Sequence, residues 1–133
     1  MTEYLDVEDV LEIAKITLGS TAAVRDYGLI QSAIGRPQGS VFGVDAYPTL
    51  LEKAAALLHS LSSNHGLVDG NKRTGWACSI VFLELNGLYL MEPLDEDAAE
   101  DFVLAVAQSQ LTNEVIAERL AKFVTSEPPA DLT

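Results

Sequence analysis

The stretch that decides the fold begins with ten polar-rich residues, His65-Gly66-Leu67-Val68-Asp69-Gly70-Asn71-Lys72-Arg73-Thr74, and continues into an apolar segment that ends at Asn86-Gly87. The segment from about residue 72 to residue 86 is apolar almost all round, which is typical of a helix buried on every face. Gly87 is a suitable helix terminator. The sequence therefore predicts a buried central helix with a short loop mounted on its N-terminal end.

The loop combines residue types that phosphoryl chemistry uses. His65 supplies an imidazole that can accept a proton, and Asp69 supplies a carboxylate that can hold a divalent cation. Gly70 permits a tight backbone path at the entry to the helix. A loop of these residue types is also common turn chemistry, and that simpler interpretation stays open on composition alone.

The first turn of the central helix is cationic where the helix dipole disfavours cations. Asn71, Lys72 and Arg73 occupy this turn, although the free N–H groups of a helix start favour anions. Two adjacent cations there make sense if a phosphate joins them, with Arg73 gripping two oxygens and Lys72 acting as a point charge. The spacing does not fit a P-loop, since three residues separate Gly66 from Gly70 and no strand precedes them.

Helical signals also dominate the flanking sequence, so we expect an all-α, compact helical bundle. Asp6 and Thr49 are candidate N-caps, and further helices are expected to start at Asp95 and Thr112. We expect five helices besides the central one. They cover about Val7–Leu18, Tyr27–Ile34, Leu50–Leu61, Asp95–Gln110 and a last segment from Thr112 to about Phe123. Gly39–Pro48 lacks helical signals and predicts a loop or weak hairpin. At 133 residues, we expect one catalytic domain, 1–125, and a disordered, proline-containing tail, 126–133.

Composition narrows the classes of function. Eight Lys and Arg against 20 Asp and Glu give a net charge of -12, which argues against direct nucleic-acid binding. The longest apolar run, around Trp76–Leu83, is too short to span a bilayer, and Met1–Glu12 lacks the features of a secretory signal. The single cysteine, Cys78, suits a reducing compartment and falls in the predicted central helix as a packing residue. We therefore expect a cytoplasmic protein without membrane contact.

Several blocks of the sequence resemble one family. The pattern His65-x-x-x-Asp69-Gly70-Asn71-Lys72-Arg73 closely resembles the signature of Fic/Doc proteins, and Lys72 points to the Doc (death-on-curing) branch. Similar blocks lie on both sides of the signature: Arg25–Ile34 with Arg36-Pro37-Gln38, Tyr47-Pro48 with Glu52–Ala55, and Phe82–Gly87. The resemblance covers roughly residues 4–124.

The resemblance implies a role for each signature residue. His65 would be the general base, and Asp69 would hold the Mg²⁺ that bridges nucleotide phosphates. Gly70 and Asn71 would supply backbone and amide donors to ATP, while Lys72 and Arg73 would neutralise its phosphates, with Arg73 counted among the catalytic residues. It implies a Fic/Doc-like helical bundle and an ATP-dependent protein kinase acting on elongation factor Tu as a toxin that inhibits translation. A cognate antitoxin would hold it inactive.

Departures from the family pattern leave two alternatives. Trp76 stands where Fic adenylyltransferases carry a further Arg, which favours the kinase over AMP transfer. Gly66 and Leu67 replace a common Pro and a common bulky aromatic, so a catalytically inactive partner-binding homologue is the second alternative. No Ser/Thr-x-x-x-Glu inhibitory helix is evident, and the segments Val7–Leu18 and Asp95–Ala107 could instead receive an amphipathic antitoxin helix.

Overall fold

The computed structural model of the protein describes residues 1–130. Within them the six α-helices are α1 (Val7–Leu18), α2 (Tyr27–Gly35), α3 (Leu50–Ser63), α4 (Asn71–Leu85), α5 (Glu96–Ala107) and α6 (Asn113–Leu120). Short 3₁₀ helices follow α2 and α6, at Arg36–Gln38 and Ala121–Phe123. Two antiparallel pairs complete this part of the chain, β1 (Ser40–Val41) with β2 (Val44–Asp45), and β3 (Tyr89–Leu90) with β4 (Val124–Thr125). The prediction of an all-α bundle is confirmed.

The helix boundaries follow the predicted caps. Asp6 forms a capping box with Asp9 at the start of α1, and Gly19 ends that helix in the left-handed conformation. Thr49 and Asp95 cap α3 and α5 with side-chain oxygens. These local interactions begin each helix at the residue that the sequence indicated.

The core is built around a pair of helices rather than a single one. The α3 and α4 helices pack most extensively against each other, and α3 also contacts α2, α5 and α6. Alanines 54 to 56 are fully buried and allow neighbours to approach α3 closely, and Gly75 of α4 lies against the Ser62 backbone. The predicted burial of Cys78 is confirmed. The α4 helix is largely buried but not on every face, because Trp76 is only partly buried and Leu85 is 54% exposed, and α3 is at least as buried as α4.

The segment between α2 and α3 forms the predicted weak hairpin. Its base is held by Lys53, a buried lysine whose Nζ donates to the Tyr47 carbonyl at 2.5 Å and lies 3.5 Å from the Asp45 carboxylate. Phe42, at the tip, is fully exposed, and Val41 and Val44 are also largely exposed. The hairpin therefore carries its apolar side chains outward.

The last part of the chain closes the bundle beside α4. The β3–β4 pair joins residues 89–90 to residues 124–125, so the chain is integrated into the fold as far as the predicted domain boundary. Residues 131–133 of the predicted disordered tail lie outside the described part, and the division at residue 125 stays a prediction. No helix within residues 1–130 is long and apolar enough to cross a membrane.

Candidate active site

The candidate site is the N-terminal end of α4 together with the loop that leads into it, residues 65–70, which we call the signature loop. No side chain caps this end of α4 in the described chain, and the first backbone bond of the helix is Thr74 N–H to the Gly70 carbonyl, at 2.9 Å. The N–H groups of residues 71 to 73 therefore point outward without an intrahelical acceptor. This is the geometry of an anion-binding helix start.

Gly70 is required at this position for two reasons. Its φ of +79° is left-handed, and a Cβ built on it would lie 2.6 Å from Cδ2 of Leu18, at the end of α1. A left-handed conformation costs an ordinary residue about 1–2 kcal/mol, and the collision with Leu18 adds to this cost. Glycine thus lets the signature loop enter α4 tightly against α1.

The predicted catalytic side chains lie on the solvent side of the signature loop. His65 and Asp69 are exposed, as are Lys72 and Arg73 in the first turn of α4. One carboxylate oxygen of Asp69 accepts a bond from the Gly70 N–H at 2.8 Å. The His65 imidazole makes no hydrogen bond within residues 1–130, so it is free to accept a proton from a ligand. One short segment therefore exposes a base, an acid and two cations.

His65 has an unusual backbone conformation. Its φ is +56°, in the left-handed region that non-glycine residues seldom occupy. Such conformations cluster at functional sites because the surrounding structure has to hold them. The strain at His65 is therefore consistent with a functional role for this residue.

Asn71 has a different role from the one predicted for its side chain. Its Oδ1 accepts from the Leu67 N–H and its Nδ2 donates to the Leu67 carbonyl, each at 3.0 Å, and the residue is 9% exposed. The amide is therefore engaged inside the protein and is not available to nucleotide phosphates. The contribution of Asn71 to an anion is limited to its backbone N–H.

Gly66 and Leu67, the departures from the family pattern within the signature loop, are both well accommodated. Leu67 is 3% exposed and belongs to the hydrophobic core, so it anchors the loop as a larger side chain would. Gly66 is buried, and a Cβ on it would lie 2.7 Å from Cγ1 of Ile30 in α2. Glycine allows the loop to lie directly against α2, so it does not loosen the loop.

The described residues of the site could bind Mg²⁺ only together with a bound ligand. No group of three or more His, Cys, Asp or Glu side chains in the described residues could hold a metal ion. Mg²⁺ is commonly bound by one or two carboxylates together with substrate phosphates and water. The exposed Asp69 at the helix start fits that mode, because its second oxygen makes no hydrogen bond within residues 1–130.

A groove of about 550 Å³ runs from the cations of α4 along α5. Lys72 and Arg73 stand at one side of it, and Glu96 and Glu100 line the α5 side. Its apolar lining comes from Trp76, Leu94, Ala99, Val103 and Leu104. Trp76 packs edge-on against Phe102 and Phe123, so it forms part of an aromatic cluster where the adenylyltransferase pattern would place an Arg.

A second polar cluster, which the sequence did not reveal, lies beside α3. Arg36 donates to His59 Nδ1 at 2.9 Å and to the Tyr47 hydroxyl at 2.9 Å. Since Arg is a donor only, His59 Nδ1 accepts and its Nε2–H donates to Ser109 Oγ at 3.0 Å. Burial, with the positive charge of Arg36, lowers the pKa of His59 below its ordinary value of 6.5. The family blocks Arg36-Pro37-Gln38 and Tyr47-Pro48 contain two of its members but gave no sign that they meet.

The fold and the site together define an all-α protein with an exposed polar loop mounted on the uncapped start of a largely buried helix. The model of the Fic/DOC family matches residues 4–83. The chain is also 53% identical over 126 residues to the toxin Doc of Mycolicibacterium smegmatis (strain ATCC 700084 / mc(2)155), covering 95% of this chain and 97% of that protein. The chain belongs to the Fic/Doc family, in its Doc branch.

Proposed function

We propose that this protein is a Doc-type toxin that transfers the γ-phosphate of ATP to a hydroxyl of a translation factor, elongation factor Tu by family resemblance. The observation that carries the proposal is the uncapped start of α4, where free N–H groups lie beside exposed Lys72 and Arg73. Phosphoryl transfer depends mainly on positioning and charge stabilisation, and this helix end offers both.

The reaction assigns one task to each group. His65 takes the proton of the target hydroxyl, whose oxygen forms a bond to the γ-phosphorus as the bond from that phosphorus to the β-phosphate oxygen breaks. ADP leaves, and the phosphate stays on the target. The N–H groups of residues 71 to 73 and the two cations stabilise the phosphate charge, whereas the Gly70 N–H is already bonded to the Asp69 carboxylate. Mg²⁺, held by Asp69 when bound, would neutralise further phosphate charge.

A protein rather than a small molecule is the acceptor that the surface favours. The hairpin of β1 and β2 exposes Val41, Phe42 and Val44, and exposed apolar residues of this kind mark protein-binding surfaces. Within residues 1–130 its two strands pair only with each other, so an outer edge could bind an extended segment. The cytoplasmic location expected for this protein is also the location of translation factors.

The groove along α5 is the surface that best fits the expected antitoxin. Of the two segments suggested by the sequence, α1 buries Val10 and Ala14 against the core, whereas the α5 side leaves an open apolar groove next to the cations. An amphipathic helix with basic residues would match the apolar lining and the carboxylates of Glu96 and Glu100. Such a partner would cover the approach to the phosphate site.

Two variants test the proposal. His65→Ala should lower phosphate transfer by about 10²–10⁴-fold without loss of folding, and Asp69→Asn should weaken Mg²⁺-dependent ATP binding. Transfer and ATP binding are measured with purified protein, ATP and elongation factor Tu, with the exposed Lys122→Ala as a matched control. Full activity of His65→Ala would show that another group is the base, and unchanged Mg²⁺ dependence of Asp69→Asn would reduce Asp69 to a turn residue.

A further inference from the structure

The outer side of the signature loop is held by the four residues Ala23–Asp26, which we call the brace. The Val68 N–H donates to the Ala23 carbonyl at 2.9 Å, and Val24 forms an isolated antiparallel bridge with Leu67. The Gly66 carbonyl accepts from the N–H groups of Arg25 and Asp26, at 2.8 and 3.0 Å. The brace therefore fixes the backbone of three consecutive loop residues.

Arg25 adds a side-chain contact to this backbone ladder. Its Nε donates to the His65 carbonyl at 2.7 Å, and its Nη2 lies 3.4 Å from the Asn64 carbonyl. One planar guanidinium thus spans the carbonyls of the last residue before the loop and of its first residue. Bonds from a charged donor are stronger than those between neutral groups, and the short bond falls on the residue with the left-handed φ.

The rest of the site gives His65 little other support. Its imidazole makes no hydrogen bond within residues 1–130, and the two hydrogen bonds between the Asn71 amide and Leu67, which we call the Asn71 clamp, act two residues further on. The direction in which the imidazole leaves the loop is therefore set by its backbone. Within residues 1–130, the side chain that hydrogen-bonds to this backbone is that of Arg25.

We propose that Arg25 is a positioning residue for the reaction: it holds the His65 backbone in the left-handed conformation from which the imidazole meets the target hydroxyl. This inference rests on the proposed role of His65 as the base. Arg25 acts through His65, whereas ATP is held by the start of α4, so the two functions are separable. Loss of Arg25 should lower kcat and leave the KM for ATP unchanged.

The experiment compares Arg25→Ala and Arg25→Lys with the control Arg119→Ala, which removes an exposed guanidinium from α6. Steady-state transfer from ATP gives kcat and KM, and hydrogen exchange of the Val68 amide reports on the loop independently of activity. We expect kcat to fall about 10- to 100-fold in Arg25→Ala, because small misplacements of a reacting group have effects of that order. Val68 should exchange faster, and Arg25→Lys should recover part of both, since lysine keeps the positive charge but lacks the rigid planar fork with which arginine holds the two carbonyls.

Each other outcome has a defined meaning. An unchanged kcat in Arg25→Ala, or a raised KM for ATP with kcat intact, would overturn the inference. If the parent protein transferred nothing, the proposed function would fail on its own, and unchanged Val68 exchange in the variants would then overturn the brace as well. If Arg25→Ala did not fold, Arg25→Lys alone would decide, with a kcat and an exchange rate equal to those of the parent counting against the proposal.

Discussion

Replacing Asn71 with alanine separates two roles that the sequence alone could not distinguish. The side chain either binds a nucleotide phosphate or holds the loop, and its two bonds to Leu67 favour the second. In the variant, the N–H and carbonyl of a buried residue lose their partners. Each unpaired buried group costs about 1–3 kcal/mol, so the free energy of unfolding should fall by about 2–6 kcal/mol.

Asn86 provides a matched control at the other end of α4. Its amide makes three bonds, two with the exposed backbone of Glu3 and one with the Phe82 carbonyl. Counting bonds predicts that Asn86→Ala is the more damaging change. Burial predicts the opposite order, because water can replace the amide at Glu3 and cannot easily do so at Leu67.

Urea denaturation of the two variants measures the difference directly. We expect Asn71→Ala to lose the larger part of the free energy of unfolding, and its kcat to fall as the loop loses its anchor. If Asn71→Ala kept the parental stability while its KM for ATP rose, the amide would be a phosphate ligand and our reasoning about the clamp would be refuted. Equal or greater damage from Asn86→Ala would refute the argument from burial.

Three further predictions concern the residues around the site. Gly70→Ala should destabilise the protein more than Gly87→Ala in thermal unfolding, because both glycines have a positive φ but a Cβ at position 87 would meet no atom within 4 Å; equal losses would contradict this. Because the pKa of His59 is lowered in the folded protein, His59 contributes stability that is complete above pH 6.5 and is lost as the pH falls through that value towards the folded pKa. His59→Asn, which retains an acceptor for Arg36, should therefore reduce the change in melting temperature between pH 7.5 and 5.5. A change in melting temperature equal to the parent's would contradict this prediction. Thr74 is 1% exposed and its hydroxyl has no partner in the described chain, so Thr74→Val should raise the melting temperature, whereas a drop would show that the hydroxyl is satisfied.

Much of the fold could be predicted because local signals agree with the tertiary structure. Asp6, Thr49 and Asp95 begin helices by capping them, and most of the apolar segment after the signature loop is buried as its composition indicates, although Leu85 is exposed. The extent to which α3 is buried was less evident from the sequence. Its Lys53 is polar in sequence, and only the carbonyls brought to it by the hairpin allow it to be buried.

The candidate site was predictable in its residues and less so in its contacts. The sequence placed His65, Asp69, Lys72 and Arg73 on one loop and helix start, and all four are exposed there. It could not show that the Asn71 amide faces inward, since an amide serves a backbone clamp and a phosphate equally well. Long-range partners such as Arg25 with His65, forty residues apart, depend on how α2 lies against the loop.

The central claim is that the start of α4 is the phosphate site of a protein kinase. The most direct measurement incubates the purified protein with elongation factor Tu and ATP labelled either at the γ- or at the α-phosphate, beside His65→Ala. We expect label to enter the target from γ-labelled ATP alone and His65→Ala to abolish this labelling. Label from α-labelled ATP would identify an adenylyltransferase, and no label from either source would leave a binding protein; both results would contradict the account.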